Sequence, residues 1–219
     1  ALGTTTYTTD FPLTENPISE GGDWINGGVT GLGWSNVQTT PGFAFGTQPD
    51  TTADLYDDST AIVAGTWGPT QTVEATVHTV NQSDALYEEV ELRVHTSISA
   101  NSITGYEITF RCTADGSQYV DIVRWNGPLA DFSVLAGTMG PGLNDGDVVK
   151  ATIVGTTITA YINGEEVLQT TDDTYATGSP GIGFYIDGGT VAQESDYGFT
   201  NFTAIPVAAA FGTVPKPAK

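Results

Sequence analysis

The sequence predicts an all-β fold, an antiparallel sandwich, and three observations carry that prediction. Apolar and polar residues alternate through the second half of the chain: Val149, Ala151 and Ile153 against Lys150 and Thr152, then Ile158, Ala160 and Ile162 against Thr157, Thr159 and Tyr161. That period of two is what a half-buried strand requires. Gly155-Thr156 and Asn163-Gly164 supply the flexible, positive-φ positions of tight hairpin turns between these runs. No segment shows sustained helical periodicity.

Taken in order, residues 1–60 are punctuated by Gly, Pro and Asp, as at Gly21-Gly22, Gly27-Gly28 and Pro41-Gly42. They predict short strands, such as 42–46, between long loops. Regular strands follow near 61–66, 71–80, 87–96, 105–112, 118–125, 131–136, 147–154, 157–163, 165–170, 181–187 and 197–203. Turn signals recur between them at the spacing of a sandwich. Residues 1–204 therefore read as one domain. Residues 205–219 read as a Pro/Ala-rich tail or linker, because Pro206, Pro215 and Pro217 do not suit a central strand. As an extended arm, the tail would offer Val207, Phe211 and Val214 to a neighbouring subunit, giving a homo-oligomer or a larger assembly.

The chain of 219 residues sets 6 Lys and Arg against 26 Asp and Glu, a formal net charge of −20. A field of that sign repels phosphate backbones and argues against nucleic acid as a partner. It suits a cation, a neutral polymer, or solubility alone. The longest apolar run, 204–211, is too short to span a bilayer and is broken by Pro206, so no membrane insertion is expected. Cys112 is the single cysteine and alternates with Tyr106, Ile108 and Phe110, which predicts a core-facing thiol and no internal disulfide. Low lysine with high threonine and glycine is the composition of exported proteins, so an extracellular or surface location is expected.

The strand at 105–112 is followed by 119–127, then by Gly-Asp-Val at 146–148, Tyr-Ile-Asn-Gly-Glu at 161–165, Gly-Ser-Pro-Gly-Ile-Gly-Phe at 178–184 and Asp-Tyr-Gly-Phe-Thr-Asn-Phe at 196–202. In this series the chain resembles the concanavalin A-like lectin/glucanase superfamily, with its laminin-G-like and glucanase-like bacterial members the nearest in pattern. The resemblance covers about residues 70–204 and implies a jelly-roll sandwich. It does not select among lectins, carbohydrate-binding modules, glycoside hydrolases, polysaccharide lyases and adhesion domains.

Strand parity places Glu89, Glu91, Arg93 and His95 on the face opposite Val90, Leu92 and Val94. If 87–96, 105–112 and 118–125 are neighbours, one polar face gathers Glu91, Arg93, Glu107, Arg111, Asp121 and Trp125. The resemblance implies sugars on the concave face of such a roll. The expected ligand-binding set is accordingly Arg93, Glu107, Arg111, Trp125 and Asn126, with Trp125 stacking on a pyranose and the others bonding hydroxyls. The plain alternative is a solvated sheet stitched by Glu–Arg pairs.

Catalysis has weaker support. The glucanase pattern Glu-x-Asp-x-x-Glu is absent, since Glu88-Glu89-Val-Glu91 lacks the central aspartate. Arg93, His95 and Tyr106 are the residue types of a lyase, without the lyase motifs. Acidic loop clusters at Asp54 with Asp57-Asp58, at Asn144 to Asp147, and at Asp172-Asp173 supply oxygen ligands for calcium. By analogy with related sandwiches, a structural Ca²⁺ is expected at Asp10, Glu15 and Asp196.

The sequence thus points to an extracellular, non-catalytic domain that binds a polysaccharide or glycan. Two other readings stay open: a structural assembly protein, such as a virion decoration or surface-fibre subunit, and a glycoside hydrolase or polysaccharide lyase.

Overall fold

A computed structural model describes residues 5–48, 58–83, 87–113, 116–187 and 193–207. Its strands, in chain order, are β1 (Tyr7–Thr9), β2 (Trp24–Asn26), β3 (Gln38–Thr40), β4 (Phe43–Phe45), β5 (Ser59–Val63), β6 (Thr70–Thr79), β7 (Tyr87–Ser99), β8 (Ser102–Arg111), β9 (Tyr119–Pro128), β10 (Phe132–Met139), β11 (Val148–Val154), β12 (Thr157–Ile162), β13 (Glu165–Thr171), β14 (Ser179–Asp187) and β15 (Tyr197–Val207). They form two antiparallel sheets. One runs β13-β12-β11-β6-β15-β4-β3, with β1 also on β15; the other runs β10-β9-β8-β7-β14-β5-β2.

The alternation read from the sequence is what joins them. Val149 pairs with Ile162, Ala151 with Ala160 and Ile153 with Ile158 across the β11–β12 hairpin, all six on the inner face. Val90, Leu92 and Val94 of β7, Tyr106, Ile108 and Phe110 of β8, and Ile182, Phe184 and Ile186 of β14 meet them from the other sheet. Each such side chain contributes about 1.5–3 kcal/mol on leaving water. Cys112 is a buried free thiol in this core, and burial raises its pKa. Trp24 and Trp67 cap the core as well.

Every strand expected after residue 60 is present, within a few residues of its expected bounds. Missing from the expectation were β1, β2 and β3, each three residues long. Three residues carry too little alternation to register as a period. β15 also continues past Ala204 to Val207, with Pro206 opposite Gln71. The ladder of β15 with β1 stops at Ala204, so at Pro206 the strand has β6 alone beside it. A proline fits a strand bordered on one side. Residues 208–219, and with them the tail anchors Phe211 and Val214, lie outside the described residues, as do Asp54 and Asp57.

Candidate functional site

Register brings the polar residues together on the outer face of the seven-stranded sheet. On β7 and β8, Arg93 stands opposite Glu107, Glu91 opposite Thr109 and Glu89 opposite Arg111. On β9, Asp121 faces Thr109 and Trp125 faces Gly105. On β14, Gly183 lies beside Glu91 and Tyr185 beside Glu89. The six residues expected on one polar face are therefore neighbours there, and four of them, Glu91, Glu107, Asp121 and Trp125, border a cleft of about 360 Å³.

Arg93 is fully buried at the inner end of this face. Its Nη1 donates to Glu107 Oε2 at 2.8 Å, and its Nη2 donates to Asp58 Oδ2 at 2.9 Å and to Glu91 Oε2 at 2.5 Å. Glu107 also accepts from Trp125 Nε1 at 2.6 Å and from Thr109 at 2.7 Å. Burial pushes the carboxyls of Asp58 and Glu91 well up. Neighbouring carboxylates add to this and Arg93 offsets part of it. Burial lowers the Arg93 pKa, but Glu91, Glu107 and Asp58 outweigh it and hold the guanidinium charged. One cation does not offset the burial of three neighbouring carboxyls, which is why the Asp58 and Glu91 carboxyls stay raised despite Arg93.

The covering of Arg93 comes from the N-terminal half. Trp34 meets Trp125 edge-on at a centroid distance of 4.7 Å, and the Arg93 guanidinium lies 5.7 Å from the Trp34 ring. Leu32, Trp34, Ile103 and Trp125 form a second apolar cluster on this side of the sheet, with Phe132 and Leu129 against it. Trp125 consequently keeps only 3% exposure and forms a wall of the cleft, with its rings already packed.

The open end is different. Tyr87, Tyr119 and Tyr185 line it with Glu89, Asp121 and Asp187. Tyr119 donates its hydroxyl to Glu89, and Arg111 stacks over Tyr87 at 4.8 Å and Tyr119 at 5.6 Å. The Arg111 guanidinium also donates to Ser117 O at 2.7 Å. It props the two rings and is not itself among the lining residues. Burial pushes Glu89 up to about 8, with Glu107 and Asp121 adding to the rise against the opposing Tyr119 hydrogen bond and Arg111 charge. Asp121 is raised as well, first by burial and then by Glu107.

Asn126 is not on this face. Adjacent residues of a strand point to opposite sides, and Asn126 follows Trp125. It accepts from Arg124 Nε at 2.9 Å and donates to Asp131 at 2.9 Å. The lyase trio is divided too. Tyr106 is in the core and donates to Asp172. A bulge in β7 gives His95 a φ of 51° and turns it to the carbonyls of Tyr175 and Pro69, away from Arg93.

The expected calcium ligands are not gathered. Glu15 Oε2 accepts the amides of Ser19 and Glu20, and Asp196 accepts from Asn81 and from the Gln193 amide. Among the described residues, the acidic group close enough to hold a metal is Asp58, Glu91 and Glu107, whose ligand atoms lie within 4.8 Å of one another. Arg93 already supplies the cation between them. The Asn144–Asp147 stretch is a turn, closed by Asp147 Oδ2 accepting from the Asn144 amide.

Sequence reasoning missed Tyr87, Tyr119, Tyr185 and Asp187. Tyr185 shares the parity of Gly183 and looks outward. For Tyr87 and Tyr119 the signal existed: Tyr87 has the parity of Glu89 and Glu91, and Tyr119 that of Asp121 and Trp125. For Tyr185 and Asp187 the neighbour relation of β14 to β7 was needed, and no pattern within either strand encodes it.

No family model matches the sequence, and no curated protein matches it. Solved structures do. The chain is similar to the carbohydrate-binding module CBM66 from Bacillus subtilis, at 15% identity and a TM-score of 0.55, over 86% of this chain and 94% of that one. It is similar to the metal-free carbohydrate recognition domain of Emp46p, at 10% identity and 0.60, over 93% and 97%. A protein described as a native glycosidic hydrolase matches at 13% identity and 0.57, over 95% and 99%. The fold is thus the concanavalin A-like jelly roll. Among the described residues, no helix is long and apolar enough to cross a membrane.

Proposed function

We propose that the chain is a non-catalytic carbohydrate-binding domain that acts outside the cell, and that its sugar site is the open end of the cleft. The observation that carries this reading is the pairing of tyrosine rings with hydrogen-bond acceptors on one rigid sheet face. Tyr87, Tyr119 and Tyr185 offer apolar rings to the C–H faces of a pyranose, while Glu89, Asp121 and Asp187 accept from its hydroxyls. Proteins of the same fold include a carbohydrate-binding module and a carbohydrate recognition domain, which supports the reading. Asp58, Glu91 and Glu107 are committed to Arg93, which leaves them ill placed to shuttle protons in a hydrolysis.

The test is a broad glycan array probed with the folded chain, followed by titration of the best ligand. Binding that weakens about tenfold or more on Tyr87→Ala, as expected for loss of a stacking ring, supports the assignment. A blank array from folded protein overturns it.

A hydrolase reading has one observation in its favour. Glu89, held up to about 8 by burial, carries a proton at neutral pH, as a general acid must. Release of reducing ends from a polysaccharide, lost on Glu89→Gln, is the result that would install this reading in place of the first.

A further inference from the structure

The charge of the cleft is one-sided. Among the described residues, its lining includes six carboxyl groups, those of Asp58, Glu89, Glu91, Glu107, Asp121 and Asp187, and no lysine or arginine. The two arginines of this face are engaged beneath the surface. Arg93 is sealed among three carboxylates, and Arg111 is laid against the Tyr87 and Tyr119 rings and bonded to Ser117. A sugar entering at the open end meets acceptor oxygens and the faces of tyrosine rings.

From this geometry we infer that the cleft selects a cationic glycan, a polymer of amino sugars with free amines, over neutral and acidic ones. The inference rests on the sugar-binding reading above and deepens it. An ammonium group on the sugar ring donates to carboxylate and is attracted to an aromatic face, and both partners stand at the open end. Tyr87 is 37% exposed there, next to Asp187 across the β7–β14 ladder. Asp121 closes the opposite wall from β9. An acetylated amine has lost its charge and meets the same carboxylates as a neutral donor. A uronate brings a further anion into a site whose own carboxyls, Asp121 and Asp187 among them, already lie close together.

The experiment is isothermal titration with three oligosaccharides of equal length: glucosamine, N-acetylglucosamine and galacturonate oligomers, each at low and at elevated salt. The glucosamine oligomer should bind at least about tenfold tighter than its acetylated counterpart, the scale of one charge-assisted hydrogen bond. That margin should shrink as salt rises. It should shrink likewise in Asp121→Asn and Asp187→Asn, whose folding is verified by circular dichroism.

Equal binding of the free and acetylated oligomers overturns the inference while leaving the sugar site standing, as does preference for the uronate. A lysine oligomer that competes as well as the glucosamine oligomer also overturns it, by showing a site that reads charge without sugar. Folded protein that binds none of the oligosaccharides on any array overturns the sugar site itself.

Discussion

Arg93 and Glu89 each stand directly across the β7–β8 ladder from a residue of opposite charge, yet they do opposite things to the face they share. Arg93 is buried as a charge because three carboxylates surround it, and removing either side would strand ions that water cannot reach. Glu89 is buried with too little positive charge near it, so the folded protein keeps its proton up to about pH 8, against about 4.5 for an ordinary glutamate. The consequence for stability has a definite sign. Between those two values the folded state binds more protons than the unfolded chain, so stability falls as pH rises through that window and levels off above it. At about 1.4 kcal/mol per unit, the shift amounts to a few kcal/mol. Glu89→Gln keeps an acceptor for the Tyr119 hydroxyl and removes the ionisation. Urea unfolding of the variant should show a shallower decline from about pH 5 to about pH 9 than wild type, and higher stability at the alkaline end. Curves that run parallel across this range would rule out Glu89 as the source.

Strand β14 shows how one element sets the floor of the site. Gly183 stands opposite Glu91, and a β-carbon there would land on the Glu91 carboxylate and 2.7 Å from Arg93 Nη2. The missing side chain is the space that the guanidinium occupies. Gly183→Ala should therefore cost about 2–3 kcal/mol through overpacking and a displaced ion cluster. For a chain of this size that lowers the melting temperature by roughly 5–10 °C. Gly155→Ala is the comparison, at a hairpin turn with φ 60° and open space around it, where about 1 kcal/mol is expected. Equal losses in calorimetry at the two positions would contradict the packing argument. Strand β7 adds a second lesson. Its alternation places Glu89, Glu91 and Arg93 correctly on the outer face, but the bulge after Val94 breaks the period, and His95 turns to other partners. A one-residue insertion in a ladder leaves no trace in residue type.

At the scale of the molecule, a formal charge of −20 is spread over one sandwich, and its self-repulsion opposes the compact state. Mobile ions screen that repulsion, the Debye length shrinking from about 30 Å at 0.01 M salt to about 3 Å at 1 M. The Arg93 cluster lies out of solvent and is little affected. The melting temperature should rise with sodium chloride across that range, and a fall would show that surface attractions outweigh the repulsion.

The alternation of small apolar and hydroxyl residues after position 60 determined by itself that the chain is an antiparallel sandwich, and which side of each strand faces the core. Local period and turn chemistry are written in adjacent residues. It also placed Glu91, Arg93, Glu107, Arg111, Asp121 and Trp125 on one face, because hairpin neighbours follow one another along the chain. The tertiary structure alone decided which of them remain open. Trp34 arrives from a loop some sixty residues before β7 to seal Arg93 and Trp125. β14 arrives some ninety residues after β7 to bring Tyr185 and Asp187 beside Glu89 and Tyr87. Such long-range pairings depend on how the whole chain closes, a condition no stretch of neighbouring residues can express.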